Sequence, residues 1–179
     1  MERGQEAIMA QTEKRKLDSG DLFPRMEIRF TDGNSMIISD MLKGFWAVLL
    51  VYRGGWWPYC RQQLLDFQSR ISDFDERKIK VIAASADSLE DAQKSVERKR
   101  LTFPIAYGLD ARVFATMTGA FFDDVRAFIQ ATGFILRPDG KVDEAVYSTG
   151  RIGRFTPAET LSIIEYHIKK SFWSGNDGG

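Results

Sequence analysis

The stretch from Trp46 to Phe74 constrains the fold more than any other part of the chain. It opens with the apolar run WAVLLVY and is interrupted by Arg53-Gly54-Gly55. A short apolar run with such bounds is typical of a strand buried on both faces of a parallel sheet. Apolar side chains then recur at steps of three and four, which predicts an amphipathic helix packed on that sheet. They are Leu64, Phe67, Ile71 and Phe74.

Cys60, the only cysteine of the chain, lies at the start of this predicted helix. Pro58 suits the first helical turn, where a missing N–H costs nothing. The free N–H groups and the positive dipole end of a helix start favour the thiolate, which is the nucleophilic form. Arg53 and Arg61 add positive charge nearby. The sequence therefore predicts a reactive thiol, while the alternative interpretation is a small buried apolar side chain.

The segment GGWWPYC resembles the W-C-P-Y-C site of peroxiredoxin-like proteins in the alkyl hydroperoxide reductase and thiol-specific antioxidant family, within the thioredoxin-like superfamily. Three further segments resemble this family: LTFP at 101–104, GFILRPDGKV at 133–142 and GRFTP at 153–157. The resemblance implies a thioredoxin-like fold and thiol chemistry at Cys60. It also implies that Trp57 replaces the first cysteine of the pair.

The resemblance assigns further positions around the thiol. Thr132 stands where thioredoxins carry a cis-proline that faces the cysteine. The family's thiolate-binding arginine would fall at Ala131 and is therefore missing, so Arg126 is interpreted as its nearest replacement. Trp57 and Tyr59 flank Cys60 directly.

The rest of the chain supports a thioredoxin-like α/β sandwich with an extra N-terminal hairpin. Residues 26–30 alternate apolar and polar side chains and a turn signal follows, which predicts the hairpin. Later patterns predict a strand at 81–85, a helix opened by Ser88, a strand pair at 132–136 and 141–147, and a last helix opened by Thr156. We interpret residues 1–20 as a mobile arm or short docked helix, 21–170 as the domain and 171–179 as a disordered tail.

Composition excludes several kinds of partner. Twenty-five basic residues balance 25 acidic ones, so no bulk positive charge attracts nucleic acid or an anionic membrane. The longest apolar run is too short to cross a membrane. One cysteine and one histidine cannot build a zinc site, and no glycine-rich phosphate loop is present, so we expect no cofactor. The first 20 residues lack a signal-peptide core, which predicts a cytoplasmic protein.

Other charged and aromatic residues carry less chemistry. His167 is interpreted as a packing or surface residue, and the adjacent carboxylates at 123–124 and 143–144 as ordinary surface. The aromatic-rich segment 119–130 is interpreted as core or interface. Together with Trp56 and Trp57 it predicts a homodimer.

Two functions remain open from the sequence. The first is a one-cysteine thiol oxidoreductase that reduces a peroxide through Cys60 and is restored by an external thiol, such as glutathione or a protein. A reductase of the Cys-x-x-Cys type is excluded, because one cysteine cannot close an internal disulfide. The alternative is a redox-degenerate member acting as a binding or structural module through Trp56, Trp57 and Tyr59. Trp57 decides between them, since it either covers the sulfur or leaves it open.

Overall fold

A computed structural model describes residues 15–150 and 152–174, with side chains up to Ser171. This part of the chain contains nine strands and six helices. The strands are β1 Glu27–Phe30, β2 Ser35–Ile37, β3 Ala47–Val51, β4 Lys80–Ala84, β5 Ile105–Tyr107, β6 Phe122–Asp123, β7 Phe128–Ile129, β8 Thr132–Leu136 and β9 Val142–Tyr147. The helices are α1 Ile38–Leu42, α2 Pro58–Ser69, α3 Ile71–Glu76, α4 Leu89–Lys99, α5 Ala111–Thr118 and α6 Pro157–Ser174.

Seven strands form one mixed sheet in the order β2-β1-β5-β4-β3-β8-β9. Strands β3, β4 and β5 run parallel, whereas β1 and β8 join them antiparallel. All five residues of β3 are buried, as the apolar run predicts. The predicted thioredoxin-like sandwich with an N-terminal hairpin is confirmed.

The pleat of β3 divides the core into two clusters, one on each face of the sheet. Leu49 and Val51 pack on the face of α1 and α5. Val48 and Leu50 pack on the other face, in the cluster that contains Cys60. Because successive side chains of a strand point to opposite faces, the register of each neighbouring strand tells which of its residues lie on the Cys60 face.

Two predicted helix starts, at Ser88 and Thr156, are correct, whereas one predicted helix end is wrong. The Ser88 side chain accepts the Asp91 N–H at 3.2 Å, and Thr156 and Glu159 form a reciprocal capping box. The helix expected to run through Phe74 instead ends at Ser69, because Arg70 leaves the helical region with φ −116° and ψ 12°. Its apolar stripe is therefore shared between α2 and α3.

The described chain continues beyond residues 21–170 at both ends. Residues 15–20 are docked on the domain: the Leu17 N–H donates to the Thr118 carbonyl at 3.1 Å, and the Tyr147 hydroxyl donates to the Leu17 carbonyl at 3.1 Å. Helix α6 continues to Ser174, four residues past the predicted domain end at residue 170. The remaining arm and tail, 1–14 and 175–179, lie outside the described residues. Within the described chain, no helix has both the length and the apolarity to span a bilayer.

Candidate active site

Cys60 is the third residue of α2, and its side chain is completely buried. Its Sγ accepts the backbone N–H of Arg53 at 3.4 Å, where the chain leaves β3. The sulfur therefore lies at the carboxyl end of a central parallel strand and at a helix start, the place where open α/β sheets bind ligands. This placement follows the prediction from the apolar run and Pro58.

A guanidinium group contacts the sulfur from a distant part of the chain. Arg154 Nη2 lies 3.2 Å from Cys60 Sγ. Arg154 belongs to the segment that connects β9 to α6. The next residue, Phe155, fixes this segment on the domain. Gln63 of α2 donates to the Phe155 carbonyl at 3.1 Å, and the Phe155 ring packs against Gly133 of β8. Two elements of the domain thus position Arg154 over the thiol.

The predicted role of Arg126 is therefore corrected to Arg154. Arg126 is exposed in the turn between β6 and β7, where its backbone N–H donates to Asp123 at 2.8 Å. The predicted replacement, Arg126, lies close to Ala131 in the chain. The folded chain instead supplies the arginine from Arg154, 23 residues after Ala131. The segment GRFTP, which resembles the family, contains Arg154 and was the signal in the sequence that could have identified this arginine.

Thr132 does not occupy the position facing the thiol. It pairs with Val51, whose side chain lies in the opposite core cluster, and its Oγ1 donates to the Gln130 carbonyl at 3.0 Å. Gly133 pairs with Leu50 and so lies on the Cys60 face. The resemblance assigned the place of the cis-proline to Thr132, whereas the residue on the Cys60 face is its neighbour, Gly133.

Arg53 supports the site through its backbone and through an aromatic sandwich. Its guanidinium carbon lies 4.2 Å from the centre of the Trp57 ring and 4.5 Å from that of Phe128. These are cation–π distances, and Arg53 itself is only 9% exposed. The side chain therefore joins the turn before α2 to the β6–β7 hairpin, and Phe128 of the predicted aromatic segment is buried by this contact.

The aromatic side chains around the thiol form a closed arrangement. Trp57 is half-buried and packs against the cluster that contains Cys60. Trp56 and Tyr59 are about half exposed, at 50% and 51%. Arg61 is exposed and lines a separate groove on the flank of α2. Cys60 has no exposed surface, so the structure has the closed rather than the open sulfur.

The turn before α2 is held by Asp87, which follows β4. Its Oδ2 accepts the Gly55 N–H at 2.7 Å, and burial raises the pKa of this carboxyl group. A side chain at Gly54 would meet Trp56 and Asp87. Nearby, Tyr52 is fully buried, and burial raises the pKa of its hydroxyl. These contacts fix the backbone that donates to the sulfur.

A second polar cluster lies away from the thiol on β9 and α6. Asp143 is 4% exposed, which corrects its interpretation as surface. Its carboxylate accepts from Arg137 Nε at 2.9 Å and lies 3.1 Å from His167 Nε2. His167 also stacks on Trp46, with ring centres 5.7 Å apart, so it is a packing residue here. Nowhere in residues 15–150 and 152–174 do three His, Cys, Asp or Glu side chains converge as a metal site.

The fold and the site define a thioredoxin-fold protein with a single buried thiol held at a helix start by a guanidinium group. Comparison with known proteins agrees with this class. The model of the AhpC/TSA family matches residues 19–145, and the chain belongs to that family.

A relative by sequence agrees with the family assignment, and two solved structures agree with the fold. A peroxiredoxin of Treponema denticola is 30% identical in an alignment of 144 residues that covers 75% of this chain and 66% of the relative. The chain thus spans just under two thirds of that relative's length. Among solved structures, the peroxidoxin BcpB of Mycobacterium tuberculosis matches with a TM-score of 0.72 and 20% identity over 84% of this chain and 97% of the other. A yeast mitochondrial 1-Cys peroxiredoxin matches with a TM-score of 0.68 and 22% identity over 83% and 75%.

Proposed function

We propose that this protein is a one-cysteine, thiol-dependent peroxidase. The Cys60 thiolate attacks one oxygen of a hydroperoxide, the O–O bond breaks, and the departing oxygen leaves as an alcohol or water after taking a proton. Cys60 is thereby oxidised to a sulfenic acid while the peroxide is reduced by two electrons. No metal or organic cofactor takes part in this reaction.

The observation that carries the proposal is the contact of Arg154 with the sulfur at 3.2 Å. A guanidinium group is always charged at physiological pH and donates a strong hydrogen bond to an anion. The same group is placed to donate to the peroxide oxygen on which negative charge develops. Together with the Arg53 N–H at 3.4 Å, it gives the thiolate two donors from two segments of the chain.

The sulfenic acid is then reduced by an external thiol, because Cys60 is the only cysteine. The thiol displaces water and forms a mixed disulfide, and a second thiol releases Cys60 as a disulfide forms between the two reductants. The yeast 1-Cys neighbour is described as resolved through glutathione and thioredoxin systems, which supports a small thiol or a thioredoxin as the reductant class.

Access to the sulfur requires movement, since Cys60 has 0% exposed surface. The segment carrying Arg154 contacts the sulfur directly, and Trp57 packs against the core cluster that contains Cys60. The residues before Arg154, Ile152 and Gly153, are exposed, whereas Phe155 after it is packed on Gly133, so the part of the segment before Phe155 is the part that can move. We infer that peroxide enters when this segment lifts and that its return places Arg154 on the reacting atoms.

The closed sulfur also favours the second function, a binding module that uses the half-exposed Trp56 and Tyr59. The family relationship favours the peroxidase. The two are separated by following hydrogen peroxide and cumene hydroperoxide consumption with dithiothreitol, glutathione or thioredoxin as reductant. Peroxidase function predicts turnover with at least one thiol, trapping of the Cys60 sulfenic acid by dimedone, and loss of both in Cys60→Ser. Unchanged peroxide levels and no dimedone adduct would leave the binding module as the function.

We also propose that the protein works in the cytoplasm and forms a homodimer. A reducing compartment suits a lone thiol that depends on external thiols for each turnover. The exposed Trp56 and Phe121, at 50% and 36%, support self-association, whereas Phe128 is buried within one chain and lends it no support. Sedimentation at micromolar concentration tests the dimer, and a mass of one chain would contradict it. Cell fractionation tests the compartment.

A further inference from the structure

A groove of about 690 Å³ lies between α2 and α4, beside the turn that precedes Cys60. Cys60 does not line it, because its side chain points from α2 into the core. The groove is therefore separate from the thiol site, and the peroxidase chemistry leaves it without a role. Its size lies within the range of about 300–1,000 Å³ that small-ligand sites occupy.

The lining of the groove carries more positive than negative charge. Two helices contribute four cationic side chains, Arg61 from α2 and Lys94, Arg98 and Lys99 from α4. Lys94 pairs with Glu90 at 2.6 Å, whereas the other three form no ion pair within the described chain. Burial lowers the pKa of Lys99, and repulsion from Arg61 and Arg98 lowers it further. Asp87 offsets part of this repulsion, so the lining keeps an excess of positive charge with four cationic side chains against two carboxylates.

The two carboxylates of the lining already have protein donors. Asp87 accepts the Gly55 N–H at 2.7 Å, and Asp91 accepts the Ser88 hydroxyl at 3.0 Å. Each is therefore bound to the turn or cap that it stabilises, and neither is paired with Arg61, Arg98 or Lys99 within the described residues.

A buried hydroxyl forms part of the groove wall. Ser95 is 6% exposed and lines the groove, with its Oγ against Gly55, where a side chain would collide with it. In the described part of the chain this hydroxyl has no hydrogen-bond partner. A hydroxyl at this wall adds a neutral hydrogen-bond donor beside the cations, which is a second feature suited to an anionic ligand.

The simplest alternative is that Arg98 and Lys99 only offset the dipole at the end of α4. That explanation does not account for Arg61, which comes from another helix, or for the Ser95 side chain on the groove wall. Both are explained if the groove holds an anion.

We propose that this groove binds a small organic phosphate monoester. A phosphate group carries about two negative charges on one centre, which matches three converging cations better than a carboxylate does. Guanidinium groups bind its oxygens in pairs, lysine adds charge and a serine hydroxyl adds a donor. Trp56, half exposed at the rim, packs against the organic part of the ligand.

Titration calorimetry with phenyl phosphate at low and physiological salt tests the proposal. We expect saturable binding of one ligand per chain, and about tenfold or greater weakening in Arg98→Gln/Lys99→Gln and in Arg61→Gln. Ser95→Ala is expected to weaken binding about threefold. Lys43→Gln removes a positive charge near the opposite end of β3 and is the matched control, expected to stay within about twofold. Thermal unfolding of each variant verifies that it is folded.

Three results would overturn the proposal: no saturable binding to the wild-type chain, equal weakening in the Lys43 control, or benzoate binding as tightly as phenyl phosphate. The last would make the groove a carboxylate site. Cys60→Ser is expected to bind phenyl phosphate like wild type, so failure of the peroxidase function and failure of this site are separate outcomes.

Discussion

The Phe155 ring fills the space that a side chain at Gly133 would occupy. A β-carbon built on Gly133 would lie 2.5 Å from the ring, well inside van der Waals contact. Because Arg154 precedes Phe155, the absence of a side chain in β8 allows the guanidinium group to approach Cys60. A backbone feature of the sheet thus determines the surroundings of the thiol.

Gly133→Ala is therefore expected to damage the site and the stability together. The added methyl group forces Phe155 away from β8, at a cost of about 1–3 kcal/mol. Arg154 moves with it and uncovers the buried sulfur, so alkylation of Cys60 by iodoacetamide at pH 7 becomes faster. Gly150→Ala is the matched control, since a side chain there meets open space. Equal unfolding midpoints and equal alkylation rates for the two variants would contradict the packing argument.

Arg154→Gln tests the contact with the sulfur directly. A hydrogen bond from a charged donor contributes about 1.5–3 kcal/mol, so its loss should slow the Cys60 reaction with peroxide about ten- to hundredfold. Arg154→Lys keeps the charge without the planar fork and should retain part of the rate.

Arg126→Gln is the control for this experiment. It removes an equal charge from the exposed β6–β7 turn and is expected to change the rate less than about twofold. Stopped-flow measurement of the peroxide reaction follows both variants. A slow Arg126 variant with a normal Arg154 variant would reverse the assignment.

The fold was predictable because its main signals are local. The apolar run of β3, the caps at Ser88 and Thr156 and the turn at 138–140 each lie within a few residues. Helix α1 and strand β5 were missed because five and three residues are too few for a period to be read. The split of the long helix at Arg70 was missed because its apolar spacing continues across the break.

Only those residues of the site that lie in one segment of the chain were predictable from the sequence. Cys60, the helix start and the flanking Trp57 lie in one segment, and their relation follows from it. Arg154 lies 94 residues from Cys60 and reaches it through the packing of Phe155 on Gly133. No spacing rule encodes that approach. The face on which Thr132 lies likewise depends on the register of β8 against β3, which a one-residue shift reverses.

Trp57→Cys is expected to create a redox-active pair with Cys60. Position 57 is the N-cap of α2 and Cys60 its third residue, so the two lie three residues apart across a helix start, as in the W-C-P-Y-C site. Oxidation should yield an internal disulfide, detected by mass spectrometry of the non-reduced peptide, and activity in insulin reduction. Trp57→Ser loses the same packing without a thiol and is the control. Failure to close the disulfide would mean that the turn geometry differs from that of the family.

Asp87→Asn should change how stability depends on pH. Burial raises the pKa of Asp87 above its usual value of about 4, so the folded chain binds this proton more tightly than the unfolded chain does. Wild type therefore loses stability from this group as pH rises from about 4 through the raised pKa. The asparagine oxygen still accepts the Gly55 N–H without carrying a charge, so the variant avoids that loss. The urea midpoint of Asp87→Asn, relative to that of wild type, should therefore be higher at pH 7 than at pH 3.5.

Asp75→Asn, at an exposed position of α3, controls for the lost charge. A difference between Asp87→Asn and wild type that is the same at both pH values would contradict the prediction.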